Sequence, residues 1–527
     1  MPRSRLIPIV IPMGRGGLNS SPNSDTVPRE DLTDALSLTF DQDTVQKEPG
    51  AVKVNSSPLA ANRRVVGLKE FVNGSGTQFL IAFVSNGTLV TVVAGGVGET
   101  LASGLTADRQ MVFAEGIVSG TKKLFCFTGR DQVRLTEGTA ATTAALATLA
   151  NPADWAETDG STSQPTGGIV HRNRLYGWGN ENDPHRLYFS TLANHEDFTG
   201  AGSGSLPVYP GEGERIAACI SFLGRLWVLK YPLGVYWVDE GLTSDATSVW
   251  TTRRLTRNVG MAGPLGLDTV EGDVLFVGTD GLPHLLSGVQ EFGDARDSAL
   301  LYEKLAPFLR DHVAVSRLSR SIVTYYPYKK QAHVSLSESG TVQDRRLILD
   351  LHVLGRPAAT WSERDICEAM TLRRDSNAVY RLVVGDDTGT VWELDRLLRS
   401  KGGVGYLGKF QTKPVTLFDG IRRGNLVFLD AVMPIGGGPV RFALQVERDG
   451  KVGQTLSYSE ALTTLILDSG VLDTATLGGA YDEIKVRRRR VTGDARVVRL
   501  IGSNDGNEEN FSVSRFILWV SPGNTRP

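Results

Sequence analysis

Arg225-Leu-Trp-Val-Leu229 sits between two other short apolar runs, Arg215-Ile-Ala-Ala-Cys-Ile220 before it and Leu233-Gly-Val-Tyr-Trp-Val238 after it. All three are rich in β-branched and aromatic residues, and Gly224 and Pro232 punctuate them. Runs of this length and composition, parted by turn residues, read as an antiparallel β-meander. The middle run has counterparts along the chain: Gln78-Phe-Leu-Ile-Ala-Phe83, Lys123-Leu-Phe-Cys-Phe127, Arg174-Leu-Tyr-Gly-Trp178, Asp273-Val-Leu-Phe-Val277, Gln331-Ala-His-Val-Ser-Leu336 and Tyr380-Arg-Leu-Val-Val384. Their starts are 45, 51, 51, 48, 58 and 49 residues apart, close to the roughly 40–50 residues of a four-stranded propeller blade. A lone meander leaves its faces and edges uncovered, so each must stack on the next and the ring must close. The expectation is an all-β fold with a β-propeller of about seven blades over residues 63–400, six or eight being the alternatives.

Neighbouring runs repeat too: Arg320-Ser-Ile-Val-Thr-Tyr325 upstream of one core, and Gly87-Thr-Leu-Val-Thr-Val92, Arg345-Arg-Leu-Ile-Leu349 and Gly389-Thr-Val-Trp-Glu-Leu394 downstream of others. The longest interval holds Ser298 to Arg310, where Leu301, Leu305, Phe308 and Leu309 share one helical face around Pro307; this predicts a short helical insertion near 298–310. The Ala/Thr-rich stretch Thr139 to Gly167 reads as a second insertion or loop. Gly385-Asp-Asp387-Thr-Gly389-Thr-Val-Trp392 approximates the Ser-x-Asp-x-Gly-x-Thr-Trp box of sialidase-like propeller hairpins, a structural motif. Residues 1–62, with seven prolines by Pro58, read as an extended N-terminal arm. Beyond Lys401-Gly-Gly403 the rhythm changes, with strands expected over 408–418, 425–433, 440–448, 463–468, 483–491, 497–502 and 511–520. Residues 401–527 are therefore expected to be a separate antiparallel β-sandwich or barrel domain.

Composition narrows the function. The chain has 527 residues, 41% hydrophobic and 22% charged, with a net charge of −2; that is globular balance, with no global field toward nucleic acid or an anionic membrane. Cys126, Cys219 and Cys367 are too scattered for a disulfide framework or a metal pair and read as buried hydrophobes in a reducing compartment. The opening Met1 to Met13 mimics a signal peptide, but Pro8 and Pro12 break its apolar run. No stretch of about 18 apolar residues exists, so a soluble protein that folds in a cytoplasm and does not insert in a membrane is expected.

Motifs of catalysis are missing from the pattern. His171, His185 and His195 form the only local histidine group, without a metal-ligand spacing. The carboxylate pairs Asp386/Asp387 and Glu363/Asp365 fall in turns, where Asp favours local backbone bonds. No P-loop, G-x-S-x-G or dinucleotide glycine motif is present, and Ile435-Gly-Gly-Gly438-Pro439 reads as a connection between strands. The sequence thus assigns no catalytic, cofactor-binding or metal-ligating residue and expects no cofactor. Lys485-Val-Arg487-Arg-Arg-Arg490 is the densest charge run. On a strand its arginines alternate between faces, which favours a subunit interface or a solvated edge over a continuous ridge against DNA.

Several segments resemble a known family. Gly16-Gly-Leu-Asn19, Thr33-Asp-Ala35 and Lys47-Glu-Pro-Gly50 resemble the opening of tail proteins from short-tailed bacteriophages; Glu48 stands where that family has Arg, and Ser37-Leu38 where it has Asn-Val. His171-Arg-Asn-Arg-Leu-Tyr176, Pro184-His-Arg-Leu-Tyr-Phe-Ser190 and Asp197-Phe198 are similar to a central segment of the family, and Ala495-Arg-Val-Val-Arg-Leu500 with Phe516-Ile-Leu-Trp519 to its closing strands. The resemblance implies a tail nozzle, or tail tubular protein: a non-enzymatic virion protein of the phage tail, assembled in the host cytoplasm. It implies a homo-oligomer, a six-fold ring, below the portal and adaptor. That ring holds tail fibres or spikes and conducts double-stranded DNA without sequence recognition. A near-neutral subunit suits a conduit, because a lumen of unpaired Arg and Lys would grip the phosphates. The rival expectation is a tail-associated propeller that binds or degrades polysaccharide, with Trp178, Tyr209 and Trp237 as candidate sugar platforms.

Overall fold

Each of the seven recurring runs is the second strand of an antiparallel meander: Gln78–Val84, Thr121–Phe127, Arg174–Trp178, Arg225–Tyr231, Asp273–Val277, Gln331–Leu336 and Tyr380–Gly385. A second strand has a neighbour on both edges and a blade against both faces, so it is apolar without alternation; Arg174–Trp178, Asp273–Val277 and Gln331–Leu336 are buried at every position. The computed structural model describes residues 6–13, 16–21, 27–41, 44–145, 164–242, 248–292, 299, 301–352, 357–375, 377–396, 399–418, 422–434, 440–460, 484–507 and 509–522.

Blades 1 to 4 are four-stranded sheets spanning 65–102, 112–145, 167–207 and 215–256. Blade 5, Leu267 to Leu285, has three strands followed by a short helix, Leu286–Phe292, whose Leu286 and Val289 complete its core. Blade 6 spans 322–362, and blade 7 joins 369–396 to the distant strand Gly50–Lys53. Every pair of successive blades shares an apolar cluster. Phe83 meets Leu124 between blades 1 and 2, Phe127 meets Leu175 between 2 and 3, and Trp178 meets Val228 between 3 and 4. Trp227 meets Phe276 between 4 and 5, Leu275 meets Val334 between 5 and 6, Ile322 meets Val384 between 6 and 7, and Val383 meets Val65 between 7 and 1. Seven contacts close a seven-bladed ring.

The insertion expected near 298–310 is the helix Tyr302–His312. Leu305 and Leu309 are buried as the periodicity requires, and Pro307 lies inside it. The Ser20 hydroxyl enters the ladder beside that proline, donating to the Lys304 carbonyl (2.7 Å) and accepting from the Phe308 N–H (3.1 Å), one of the recognised ways a helix accommodates a break. Of the stretch from Thr139 to Gly167, residues 144–145 supply the short fourth strand of blade 2 and 167 begins blade 3; residues 146–163 lie outside those described, as do 435–439 and the strand expected over 463–468.

The first 62 residues hold more structure than their prolines suggest. Ile7–Pro12 pairs with Arg515–Pro522. Leu32–Leu36 lies between Ala358–Ser362 of blade 6 and Gly408–Thr412, joining blade 6 to the C-terminal region in one ten-stranded sheet. The hairpin Leu38–Asp41/Thr44–Lys47 pairs with Ser512–Val513, and Gly50–Lys53 completes blade 7. The arm is thus a set of strands lent to other sheets.

The C-terminal region is an antiparallel sandwich. One sheet runs Ile7–Pro12, Arg515–Pro522, Gly424–Pro434, Ile484–Arg490; the facing strands are Gly408–Thr412, Val497–Asn504, Val440–Arg448 and Lys451–Glu460. Leu429, Phe516 and Leu518 meet Phe410, Phe442 and Leu500 between them. Here alternation is clean: Val497–Asn504 buries every second residue, as a strand with one face on the core must. Gly502 lies where a Cβ would enter the Phe410 ring.

Candidate interaction sites

Two clusters of ion pairs involve the propeller's junctions and openings. The first is the junction of arm, propeller and sandwich. Glu48 follows the arm hairpin, Arg346 is on the third strand of blade 6, Arg364 and Asp365 link blades 6 and 7, and Lys401 follows blade 7. The Arg346 guanidinium bonds Glu48 and lies 3.1 Å from Asp365. Arg364 donates to Asp365 through Nε (2.8 Å) and Nη2 (2.5 Å) and lies 3.1 Å from Glu48. Lys401 approaches the other Asp365 oxygen at 3.5 Å, and the Ser362 hydroxyl donates to Glu48 at 2.7 Å. Burial alone would raise the Asp365 carboxyl, but Arg364, Arg346 and Lys401 outweigh it and hold it well below the carboxylate range. Asp365, read from sequence as a turn carboxylate, is instead fully enclosed. Glu48, where the resembling family carries Arg, is matched by two arginines.

Beside this cluster is a cavity of about 20 Å³ lined by Glu48, Tyr326, Lys329, His333, Arg346 and Asp395. Nε and Nη1 of Arg346 and both ring nitrogens of His333 have no hydrogen-bond partner among the described residues, and the space suffices for one water molecule. Burial, with Arg346 adding to it, keeps His333 neutral. The arrangement fixes elements in place and leaves no room for a substrate.

The second place is one mouth of the propeller. The first strands of all seven blades line a central channel of about 800 Å³. Where those strands begin, Arg64 pairs with Asp108 (2.5 Å), which also takes Arg320 (3.3 Å), and Arg317 clasps Glu368 at 3.0 and 3.2 Å. Burial raises the Glu368 carboxyl, and Arg317 and Arg64 offset this only in part. A cavity of about 440 Å³ opens beside this cluster, with Arg109, Arg215 and Arg320 on its wall. Pro264 lines both cavity and channel.

The remaining residues singled out in the sequence are structural. His171 bonds Ser221 (2.7 Å), His195 accepts from the Ile117 N–H (2.7 Å), and His185 faces Lys230 (3.2 Å); the three do not converge. Burial lowers His171 to about 4. All three cysteines are buried and unpaired, and burial pushes the Cys367 thiol up to about 12. In the box-like hairpin the turn is closed by Asp386, one position before the motif's aspartate, which accepts from the Thr388 and Thr390 N–H groups (2.8 Å each) and from Trp392 Nε1 (2.9 Å). Trp178 is buried, while Tyr209, stacked on Tyr236, and Trp237, packed on Trp227, are half-buried.

The run Arg487–Arg490 is an exposed edge strand. Arg488 lies 5.2 and 5.3 Å from the Phe428 and Trp519 rings and donates to both oxygens of Asp430 (2.7 and 2.8 Å). Arg489 donates to the Ser457 carbonyl (3.1 Å) and covers the Tyr458 ring. Arg488 is thus held on its own sheet and Arg489 on the facing strand Lys451–Glu460.

The fold is that of a seven-bladed β-propeller joined to a β-sandwich. No protein-family profile matches the sequence, and no curated protein does. Among solved structures, the chain is similar to the N-terminal segment of BBS1 crystallised with ARL6, soaked with lead (12% identity, 66% of this chain, 98% of that one, TM-score 0.41). It is also similar to BamB from Moraxella catarrhalis (10%, 67% and 98%, 0.34) and to the computationally designed protein Ika8 (12%, 69% and 96%, 0.35). No helix among the described residues is long and apolar enough to cross a membrane.

Proposed function

We propose that the chain is a structural subunit of a short-tailed phage tail, a nozzle protein that assembles into a ring below the portal and adaptor, anchors fibres or spikes and conducts the genome. The observation that carries the reading is the resemblance at both ends of the chain, taken with where those ends lie. The matching segments Thr33 to Ala35 and Lys47 to Gly50 belong to strands and turns that join propeller to sandwich, and Phe516 to Trp519 lies in the sandwich strand that pairs with the arm's Ile7–Pro12. A subunit of a ring under load needs its domains held in one orientation, and the buried charges at the junction supply such a lock.

The conduit in this reading lies between subunits. First strands of four to eight residues, about six on average, make a channel roughly 20 Å long. At about 800 Å³ its mean cross-section is then roughly 40 Å², against roughly 300 Å² for a duplex about 20 Å across. The sandwich suits the lumen side. Residues 401–527 carry seventeen Lys and Arg against thirteen Asp and Glu in a chain whose total is −2, yet Arg488 spends its charge on Asp430. A mild positive excess with tethered arginines lets DNA slide.

Imaging of single particles of the purified full-length chain, alone and with its adaptor, tests this. Closed rings with a lumen of at least about 20 Å are expected; monodisperse single globules with adaptor present would overturn it. Release of new reducing ends from host capsule or lipopolysaccharide would favour the polysaccharide-degrading rival.

A further inference from the structure

The channel mouth carries more positive charge than it neutralises. Three guanidiniums, Arg64, Arg317 and Arg320, share two carboxylates, Asp108 and Glu368. On the wall of the adjoining cavity, Arg109 has no ion-pair or hydrogen-bond partner among the described residues, and Arg215 is engaged only by stacking on Tyr231 at 4.8 Å. Arg109 is half-buried and Arg215 exposed; a guanidinium that faces a cavity with no carboxylate in contact is an open position for an anion.

The rest of the wall says which anion. At about 440 Å³ the cavity falls within the roughly 300–1,000 Å³ of small-molecule sites. It offers Gln110, Thr128, Thr166 and Ser319 as neutral hydrogen-bonding groups, and no aromatic ring. Without a ring there is no platform for a nucleobase. Glu181 and Glu214 also stand on the wall, and Glu181 is taken by Arg130 at 2.6 Å. A carboxylate there repels a compact polyvalent anion but accepts hydrogen bonds from hydroxyl groups. Arginines for one negative group, with a carboxylate and amides for hydroxyls, fit a single class.

We propose that this mouth binds an acidic sugar, a mono- or disaccharide carrying one carboxylate, with Arg109 and Arg215 on the carboxylate and Glu214 on ring hydroxyls. The site is complete within one chain and independent of the ring assembly proposed above. A propeller so equipped holds a surface saccharide without cleaving it.

Titration calorimetry on the full-length protein, at constant ionic strength, tests the inference with glucuronate, glucose and inorganic phosphate as probes. Glucuronate is expected to bind at least tenfold more tightly than either of the others. Arg109→Ala and Arg215→Ala should each weaken it by roughly tenfold, the loss of one charge-assisted contact. Glu214→Gln should weaken glucuronate while improving phosphate, and Arg490→Ala on the sandwich should change nothing. Circular dichroism checks that each variant is folded, and two arginine variants, one on a loop and one at the start of a strand, guard against one failing. The proposal is overturned by absence of glucuronate binding, by phosphate binding as tightly as glucuronate, or by full affinity in folded variants at both arginines.

Discussion

The junction and the channel mouth are both built from arginines and carboxylates, yet they behave in opposite ways. At the junction, Asp365 and Glu48 are enclosed, and three cations converge on Asp365. Attraction there exceeds the cost of burial, and the carboxyl is held ionised. At the mouth, burial of Glu368 exceeds what Arg317 and Arg64 return, and its carboxyl is raised; Asp108 and its arginines remain partly in water. Direction of titration, and not the number of ion pairs, separates a lock from an open rim. A closed network makes each member indispensable, whereas an exposed one leaves charge over for a ligand.

The largest expected effect is at the junction. Arg346→Met leaves Glu48 and Asp365 short of a buried partner and should cost about 3–5 kcal/mol of stability, read from the urea midpoint. Replacing Glu48 by Leu in the same chain should recover part of that loss. A single-variant loss below about 1 kcal/mol would place the junction with surface pairs and erase the contrast.

Acid titration sharpens it next. Asp365 has a depressed folded-state pKa, so its contribution is full above the unfolded value of about 3.9 and is lost as the pH falls below it. Asp365→Asn should flatten that part of the stability profile. Glu368 has the opposite sign: its contribution is full below about 4.3 and is lost as the pH rises. Glu368→Gln should therefore gain on the wild-type protein between pH 4 and neutrality, each measured against its own value at pH 4. Parallel profiles for the two variants would refute the division. The smallest effect is expected for Arg64→Ala at the rim, below about 1 kcal/mol and vanishing in high salt. A larger, salt-insensitive loss would make the mouth a second lock.

Much of the propeller was legible because it rests on local signals. All seven second strands were marked by apolar runs bounded by turns, and their spacing counted the blades. The sandwich strands were found where alternation was strong, as in Val440–Arg448; Lys451–Glu460, with Gly453, Gln454 and Ser459 diluting its pattern, was missed. The arm was unreadable for a different reason. Leu32–Leu36 pairs with Gly408–Thr412, and nothing in five residues names a partner so far along the chain. The junction was hidden by the same distance. Arg364 and Asp365 look like a solvated turn until the arm crosses them.

Ring closure by Gly50–Lys53 has a consequence in time. The strand leaves the ribosome early, and its partner, Val391–Arg396, follows after more than 330 further residues, some 17–70 s of synthesis at about 5–20 residues per second. Until then the opening strand has no ladder to join, and the half-made disc exposes a raw edge at each end. The clasp that finishes the wheel is thus made early and fastened late, so newborn chains are most vulnerable to wrong partners in that interval.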